Sequence, residues 1–254
     1  MKKLSIISIL AALTMSCATL NSDYLLQGGA KVLQASTLSD EEVVAYVQQY
    51  VAQLDAQSQV LPENNAYVTR LRKITSGITS VDGMPLNFKV YKTSDVNAFA
   101  CADGSVRVYT GLMDLMDDSE VLGVIGHEIG HVALKHTKKA MKNAILTSAA
   151  LDGLSSTGEA MAALSQSQLG ALGETIVNAQ FSKKQEQQAD DYAYEYLRAV
   201  GKNPECLARS LEKIQSVEGG SNSSAITKLF SSHPDTAKRI ERVRKRLASD
   251  GITK

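Results

Sequence analysis

The chain of 254 residues has no tryptophan, four phenylalanines, four histidines, three cysteines and no excess charge of either sign. Each scarcity removes a class of answer. Twenty-seven basic residues balance twenty-seven acidic ones, so no global field steers the molecule toward nucleic acid or an anionic surface. Nucleic acid is therefore not an expected partner. No apolar run approaches the roughly 20 residues that a membrane-spanning helix needs. The shortage of large aromatics does not mean disorder, because 44% of the residues are hydrophobic and apolar positions recur at regular periods throughout. At this length that is enough for one domain with a sizeable core. Internal repeats are absent from the sequence as well.

What is present begins with the N-terminus, MKKLSIISILAALTMSC. Lys2 and Lys3 precede a short uncharged apolar run from Leu4 to Leu13, followed by small residues, which is the pattern of a secretory signal over residues 1–16. Ser16-Cys17 resembles a lipobox, although Thr14 and Met15 depart from its usual residues. A lipobox makes Cys17 the lipidated first residue of a mature chain 17–254, tied to a membrane of the bacterial envelope. That leaves Cys101 and Cys206, free to pair or to stay as two buried thiols, since sequence separation says nothing of their distance.

Periodicity predicts an α+β fold, mostly helical with one small sheet. Ser39 followed by Glu42 reads as a capping box in a helical N-terminal segment, 17–60. The rest of the single domain, 61–254, opens with a helix from Pro62 that has Tyr67, Leu71 and Ile74 on one face. Alternation in LNFKVY (86–91) and SVRVYT (105–110) predicts a small antiparallel sheet. Asp103-Gly104 reads as its type I′ hairpin turn, with Asn97, Ala98 and Phe99 on the strand ahead. Asp117, with Glu120 behind it, caps a helix that runs through VLGVIGHEIGHVALKHTKKAM to about Met141. Small residues between Ala144 and Ala179 suit close helix contacts. Further helices end at Gly201, start at Pro204, and follow His233-Pro234, with a flexible Gly-Gly-Ser loop at 219–221.

The chemistry is concentrated in the Asp117 helix. His127 and His131 are four residues apart and so lie one above the other on a helix face, where their imidazoles can meet one ion. Two neutral imidazoles at this spacing suit zinc, and Glu128 puts a carboxylate where a water beside that ion would give up its proton. His136, five residues on, is turned off that face and reads as a solvated residue near the helix end. A catalytic zinc site needs a third protein ligand and an open position. The metzincin offsets hold Leu134 and Thr137 instead of glycine and histidine, which excludes that arrangement. A later helix offers Glu186 and Asp190, four apart: Glu186 as ligand, Asp190 as the acceptor that fixes a ligand histidine's tautomer.

HEIGH at 127–131, SKKQEQQAD at 182–190, VNAF at 96–99 with VYTGLMDLM after it, and SHPDTAKR at 232–239 together resemble the HtpX and CAAX-protease family of zinc endopeptidases. The likeness covers roughly residues 60–250. It implies a zincin-type fold whose edge strand flanks the active-site helix, one Zn²⁺ held by His127, His131 and Glu186, Glu128 as general base and Asp190 as supporting acid. It makes Asn97, Ala98 and Phe99 an edge on which an extended substrate pairs through its backbone, a mode indifferent to side chains and suited to unfolded or misfolded polypeptides. It gives His233 a place near the metal, as a switch that closes the open position or as an oxyanion stabiliser. Arg239 either supports a site carboxylate or belongs to a basic helix face. Cys101-Ala102-Asp103-Gly104 stands where the family has a glycine-rich turn, so the groove differs there.

The resulting expectation is a periplasm-facing, outer-membrane-anchored endopeptidase for quality control of envelope proteins, with envelope proteins as partners. The alternatives are an assembly factor for outer-membrane proteins that uses the metal as a latch, and a structural zinc protein closed by His233.

Overall fold

A computed structural model describes residues 38–151, 169–170, 172–175, 179–217 and 233–252, with side chains omitted at 148–151. The signal segment, Cys17 and the 219–221 loop lie outside the described residues, as does most of the small-residue stretch after Ala144.

The order of elements is α1 (Asp40–Gln57), α2 (Ala66–Ile74), β1 (Ser80–Val81), β2 (Met84–Pro85), β3 (Asn87–Tyr91), β4 (Ala98–Ala100), β5 (Ser105–Tyr109), α3 (Thr110–Leu115), α4 (Asp118–Ala133), α5 (His136–Leu151), α6 (Lys183–Ala199), α7 (Glu205–Val217) and α8 (Thr236–Ser249). This is the α+β, mostly helical architecture expected. The caps are made as read: Ser39 and Glu42 close a capping box on α1, and Asp117 and Glu120 close one on α4. α2 starts later than Pro62, because Asn65 caps it by accepting the Tyr67 N–H.

The main sheet runs in the order β3-β5-β4. Its β4–β5 pair is antiparallel, as expected, but β3 runs parallel to β5, with Asn87 opposite Ser105 and Tyr91 opposite Tyr109. The sheet is therefore mixed, a correction to the all-antiparallel expectation, since alternation reports faces and not directions. The hairpin turn also differs. Gly104 donates to the Cys101 carbonyl and is alone there at positive φ, 84°, while the Asp103 carboxylate accepts the Ser105 N–H. A type I′ turn does occur at Asp82-Gly83, where φ is 47° and 80°, joining β1 to β2.

Strand alternation divides the core in two. Val90, Val106, Val108, Ala98 and Ala100 face one way and pack with Ile125 and Ile129 of α4. Tyr91, Phe99, Cys101 and Tyr109 face the other way, against Tyr46 and Tyr50 of α1 and Met141 of α5. Arg107, on that second face of β5, is buried; its guanidinium donates to both oxygens of Asp55 on α1, at 2.8 and 3.0 Å, and to the Asn87 carbonyl. Lys89 and Tyr91 also donate to Asp55. One carboxylate thus ties α1 to the sheet.

α4 is buried on nearly every side and rests on α6 at Gly130. A Cβ added there would stand 2.5 Å from the Ala189 carbonyl oxygen. Gly130→Ala should therefore lower stability by about 1–3 kcal/mol from overpacking, despite alanine's better helix propensity. Thermal unfolding checks this; an unchanged or raised Tm would mean that α6 gives way freely.

Candidate active site

α4 carries HEIGH within a continuous helix, and this sets His127 and His131 one turn apart with their Nε2 atoms 3.0 Å from each other. α6, capped by Ser182, brings Glu186 and Asp190 to the same place. Glu186 Oε1 lies 3.2 Å from His131 Nε2, and Oε2 lies 3.4 Å from His127 Nε2. His233, in the segment ahead of α8, adds Nδ1 at 3.1 Å from both His127 Nε2 and Glu186 Oε1. The four side chains each offer one donor atom, all within 4.8 Å of one another. Among the described residues this group alone could hold a metal ion in that way.

The rear of each imidazole is occupied as well. His127 Nδ1 is 2.8 Å from Asp190 Oδ1, so it donates there and Nε2 faces inward. His131 Nδ1 is 3.2 Å from His136 Nδ1, and Phe181 stacks on its ring with centroids 3.9 Å apart. The expectation for His136 is corrected here. Lys135 takes φ 59° and ends the predicted long helix; a new one, α5, starts at His136, which is buried against His131. Geometry drawn on one unbroken helix could not find it. Phe181 escaped notice too, although an aromatic next to the Ser182 cap is a visible signal.

Arg239 of α8 belongs to the site and not to a solvated basic face. It is 3% exposed, donates from Nε and Nη2 to the two Asp190 oxygens at 2.7 Å each, and places Nη1 2.6 Å from Glu186 Oε2. Two buried carboxylates therefore share one guanidinium. Burial alone would raise the pKa of each, but for Asp190 the Arg239 guanidinium, and for Glu186 the nearby histidines, hold it well below the carboxylate range. Burial pushes His131 well below its ordinary value, which keeps its lone pair free. Burial and Arg239 also push His127 down, but Glu186 and Asp190 outweigh them and lift it to about 9. Glu128, 5% exposed, has Oε1 3.5 Å from His233 Nε2. Burial raises its pKa, against the pull of His233 and His127.

β4 is the edge of its sheet and packs on α4. Asn97, Ala98 and Phe99 are nevertheless buried. Tyr109 N–H donates to the Asn97 carbonyl, and Cys101 N–H to the Ser105 carbonyl, so Asn97, Phe99 and Cys101 turn their backbone polar groups toward β5. The outward groups are those of Ala98 and Ala100, and the Ala98 N–H is taken by Asn97 Oδ1 at 2.9 Å. Cys101 and Cys206 are both buried free thiols.

The arrangement offers inward-facing imidazole nitrogens and a carboxylate oxygen, a donor set suited to a divalent metal. The sequence agrees with this from outside. Residues 62–247 match the model of "Peptidase family M48". The chain is 45% identical over 243 residues to Metalloprotease LoiP of Escherichia coli K12, covering 95% of each, and 40% identical to Metalloprotease YcaL of the same organism, covering 98% of each. It is 28% identical to the E. coli K12 Beta-barrel assembly-enhancing protease, over 83% of this chain and 45% of that one. With the family match spanning most of its length and the site built from its own helices, the chain belongs to peptidase family M48 and is a metalloprotease.

Proposed function

We propose that the protein is a zinc-dependent endopeptidase that hydrolyses peptide bonds of unfolded or misassembled polypeptides, anchored through a lipidated Cys17 to the outer membrane and facing the periplasm. The observation that carries the reading is the convergence of His127, His131 and Glu186 donor atoms beside the buried carboxylate of Glu128. Within it, His127, His131 and Glu186 hold the ion. Bound there, zinc supplies Lewis-acid polarisation of the substrate carbonyl and lowers the pKa of water.

The chain's own groups do the rest. Glu128 accepts a proton from water and passes it to the nitrogen that leaves, a role favoured by the burial that raises its pKa. Asp190 holds the proton of His127 Nδ1 and so fixes its tautomer. Arg239 keeps Asp190 ionised and aims both Asp190 and Glu186. The outward backbone groups of β4, at Ala98 and Ala100, receive an extended substrate strand, with Asn97 and Phe99 holding that edge against β5 and the core behind it. Because such pairing reads backbone, it suits chains that have lost their fold. No described helix is long and apolar enough to cross a membrane, and anchoring rests on the N-terminal sequence.

His233 supports a second reading. Its Nδ1 stands with the other three donors and its Nε2 faces Glu128, as expected of a latch that closes the site. An envelope assembly factor could use such a latch without needing hydrolysis. If proteolysis is the function, chelation should abolish cleavage of an unfolded test protein and zinc should restore it. Removing the metal should also lower Tm, since an ion bound at 1,000 times its Kd stabilises by about 4 kcal/mol. Full cleavage by protein shown to be metal-free would reject the reading.

A further inference from the structure

The ring of His131 has another ring behind it. Its Nδ1 lies 3.2 Å from the Nδ1 of His136, with the two rings crossing at 64° and their centroids 5.2 Å apart. Both side chains are buried. At that distance there is room for one proton between the two nitrogens, so one of them donates and the other accepts. The inward nitrogen of His131 is Nε2, which stands 3.0 Å from His127 Nε2 and 3.2 Å from Glu186 Oε1. A neutral imidazole has a single N–H, and Nε2 can offer a lone pair to an ion only when that proton sits on Nδ1. His136 Nδ1 must then be the acceptor. Burial holds the His136 ring below its ordinary pKa, outweighing a side-chain hydrogen bond with Gln188 that pulls the other way, so its surroundings favour a ring with one bare nitrogen. The backbone is bent to make this contact. Lys135, a non-glycine residue, takes φ 59°, a sparsely populated conformation of the kind that clusters at functional sites. On an unbroken helix a residue five further along would be turned about 140° away from His131.

We propose that His136 is a positioning residue for the metal ligand His131: its Nδ1 accepts the His131 Nδ1 proton and so keeps the inward Nε2 free to bind an ion. The inference rests on the metal-binding reading of the site and deepens it. The two ligand histidines of α4 are then held by unlike partners. His127 is backed by the Asp190 carboxylate, itself gripped by Arg239, whereas His131 is backed by a neutral ring. A carboxylate acceptor favours positive charge on the imidazole it holds. A neutral acceptor fixes the tautomer without adding charge. Phe181, stacked on His131 with centroids 3.9 Å apart, sets the ring plane but has no atom that can take the proton. If His136 donated instead, the His131 proton would sit on Nε2, where the donor atoms converge, and that histidine would be lost as a ligand.

Two measurements test this, and neither needs turnover. The first is NMR of the zinc-loaded wild type labelled with ¹⁵N in its four histidines. It should show an imidazole proton bonded to a nitrogen of a zinc-bound ring and coupled, through the hydrogen bond, to a nitrogen of a second ring that binds no metal. The second is zinc affinity, read by competition with a chromogenic chelator. His136→Leu should weaken it by roughly 10- to 100-fold. His136→Asn should recover most of that loss, because asparagine puts Oδ1 where the ring had Nδ1 and can accept the same proton. A bridging proton owned by the His136 ring, or no coupling between the two rings, overturns the proposal, and this wild-type readout decides even if a variant fails to fold. A folded His136→Asn protein that binds zinc as weakly as folded His136→Leu overturns it too, leaving His136 as packing and the metalloprotease reading intact. A wild type that takes up no zinc overturns that reading, and this inference with it.

Discussion

Glu128→Gln should bring cleavage of an unfolded protein down by roughly 10²- to 10⁴-fold, the usual contribution of a general base, while the protein binds as much zinc as before. Glutamine has the shape of glutamate and remains a hydrogen-bond partner, so the buried position near His233 is filled as in the wild type. What it lacks is an oxygen that can take a proton and give it up again. The ligand atoms of His127, His131 and Glu186 are untouched by the change. Metal content and turnover, measured side by side, thus separate holding the ion from using it. A variant that loses metal along with activity would place Glu128 among the structural supports. If cells lacking the wild-type gene were rescued as well by the variant, proteolysis would not be the essential task, and the latch reading would gain.

Asp55→Asn should cost about 3–5 kcal/mol, because it leaves a guanidinium inside the protein without its counter-charge. Arg107 is 1% exposed and gives two hydrogen bonds to that one carboxylate, with Lys89 and Tyr91 as further donors. For a domain of this size such a loss lowers Tm by roughly 10 °C. The double variant with Arg107→Met should be closer to wild type than the additive sum, since removing both charges leaves none stranded. The carboxyl also predicts a pH signature. Burial raises its pKa, but Arg107, Lys89 and Tyr91 outweigh burial and set it below the ordinary value. The folded state therefore binds this proton less readily than the unfolded chain. Its stabilisation is complete above about pH 5 and fades as pH falls through and below the unfolded carboxyl's pKa of ~3.9. Chemical denaturation at pH 7 and pH 3 should show the wild type and Asp55→Asn converging at the lower pH. A variant within about 0.5 kcal/mol of wild type at neutral pH would show that the charges add nothing.

Much of the frame was legible because it is written in short-range chemistry. Ser39 with Glu42 and Asp117 with Glu120 are caps whose partners lie three residues away, and the four-residue spacings in α4 and α6 put His127, His131, Glu186 and Asp190 on usable faces. Long-range relations were less visible. Alternation in LNFKVY gave a strand but not its direction, so the parallel pairing of β3 with β5 had no local mark. An Asp-Gly pair was read at 103–104, yet the pair with both residues at positive φ is Asp82-Gly83. The left-handed turn at Lys135 hid His136, because a non-glycine residue there carries no signal of its own. No local signal marks Asp55 among the acids of α1. Its value depends on an arginine fifty-two residues away.

Arg239 also determines when in the life of the chain the site can exist. The guanidinium that joins Asp190 to Glu186 sits on α8, more than a hundred residues after His127. While the chain is being made, α4 and α6 can be complete before that cation has emerged, and two carboxylates then have no partner to hold them in a buried place. The two carboxylates gain their shared cation only once α8 has been delivered. A chain that stops short of α8 therefore lacks the guanidinium that joins Asp190 to Glu186.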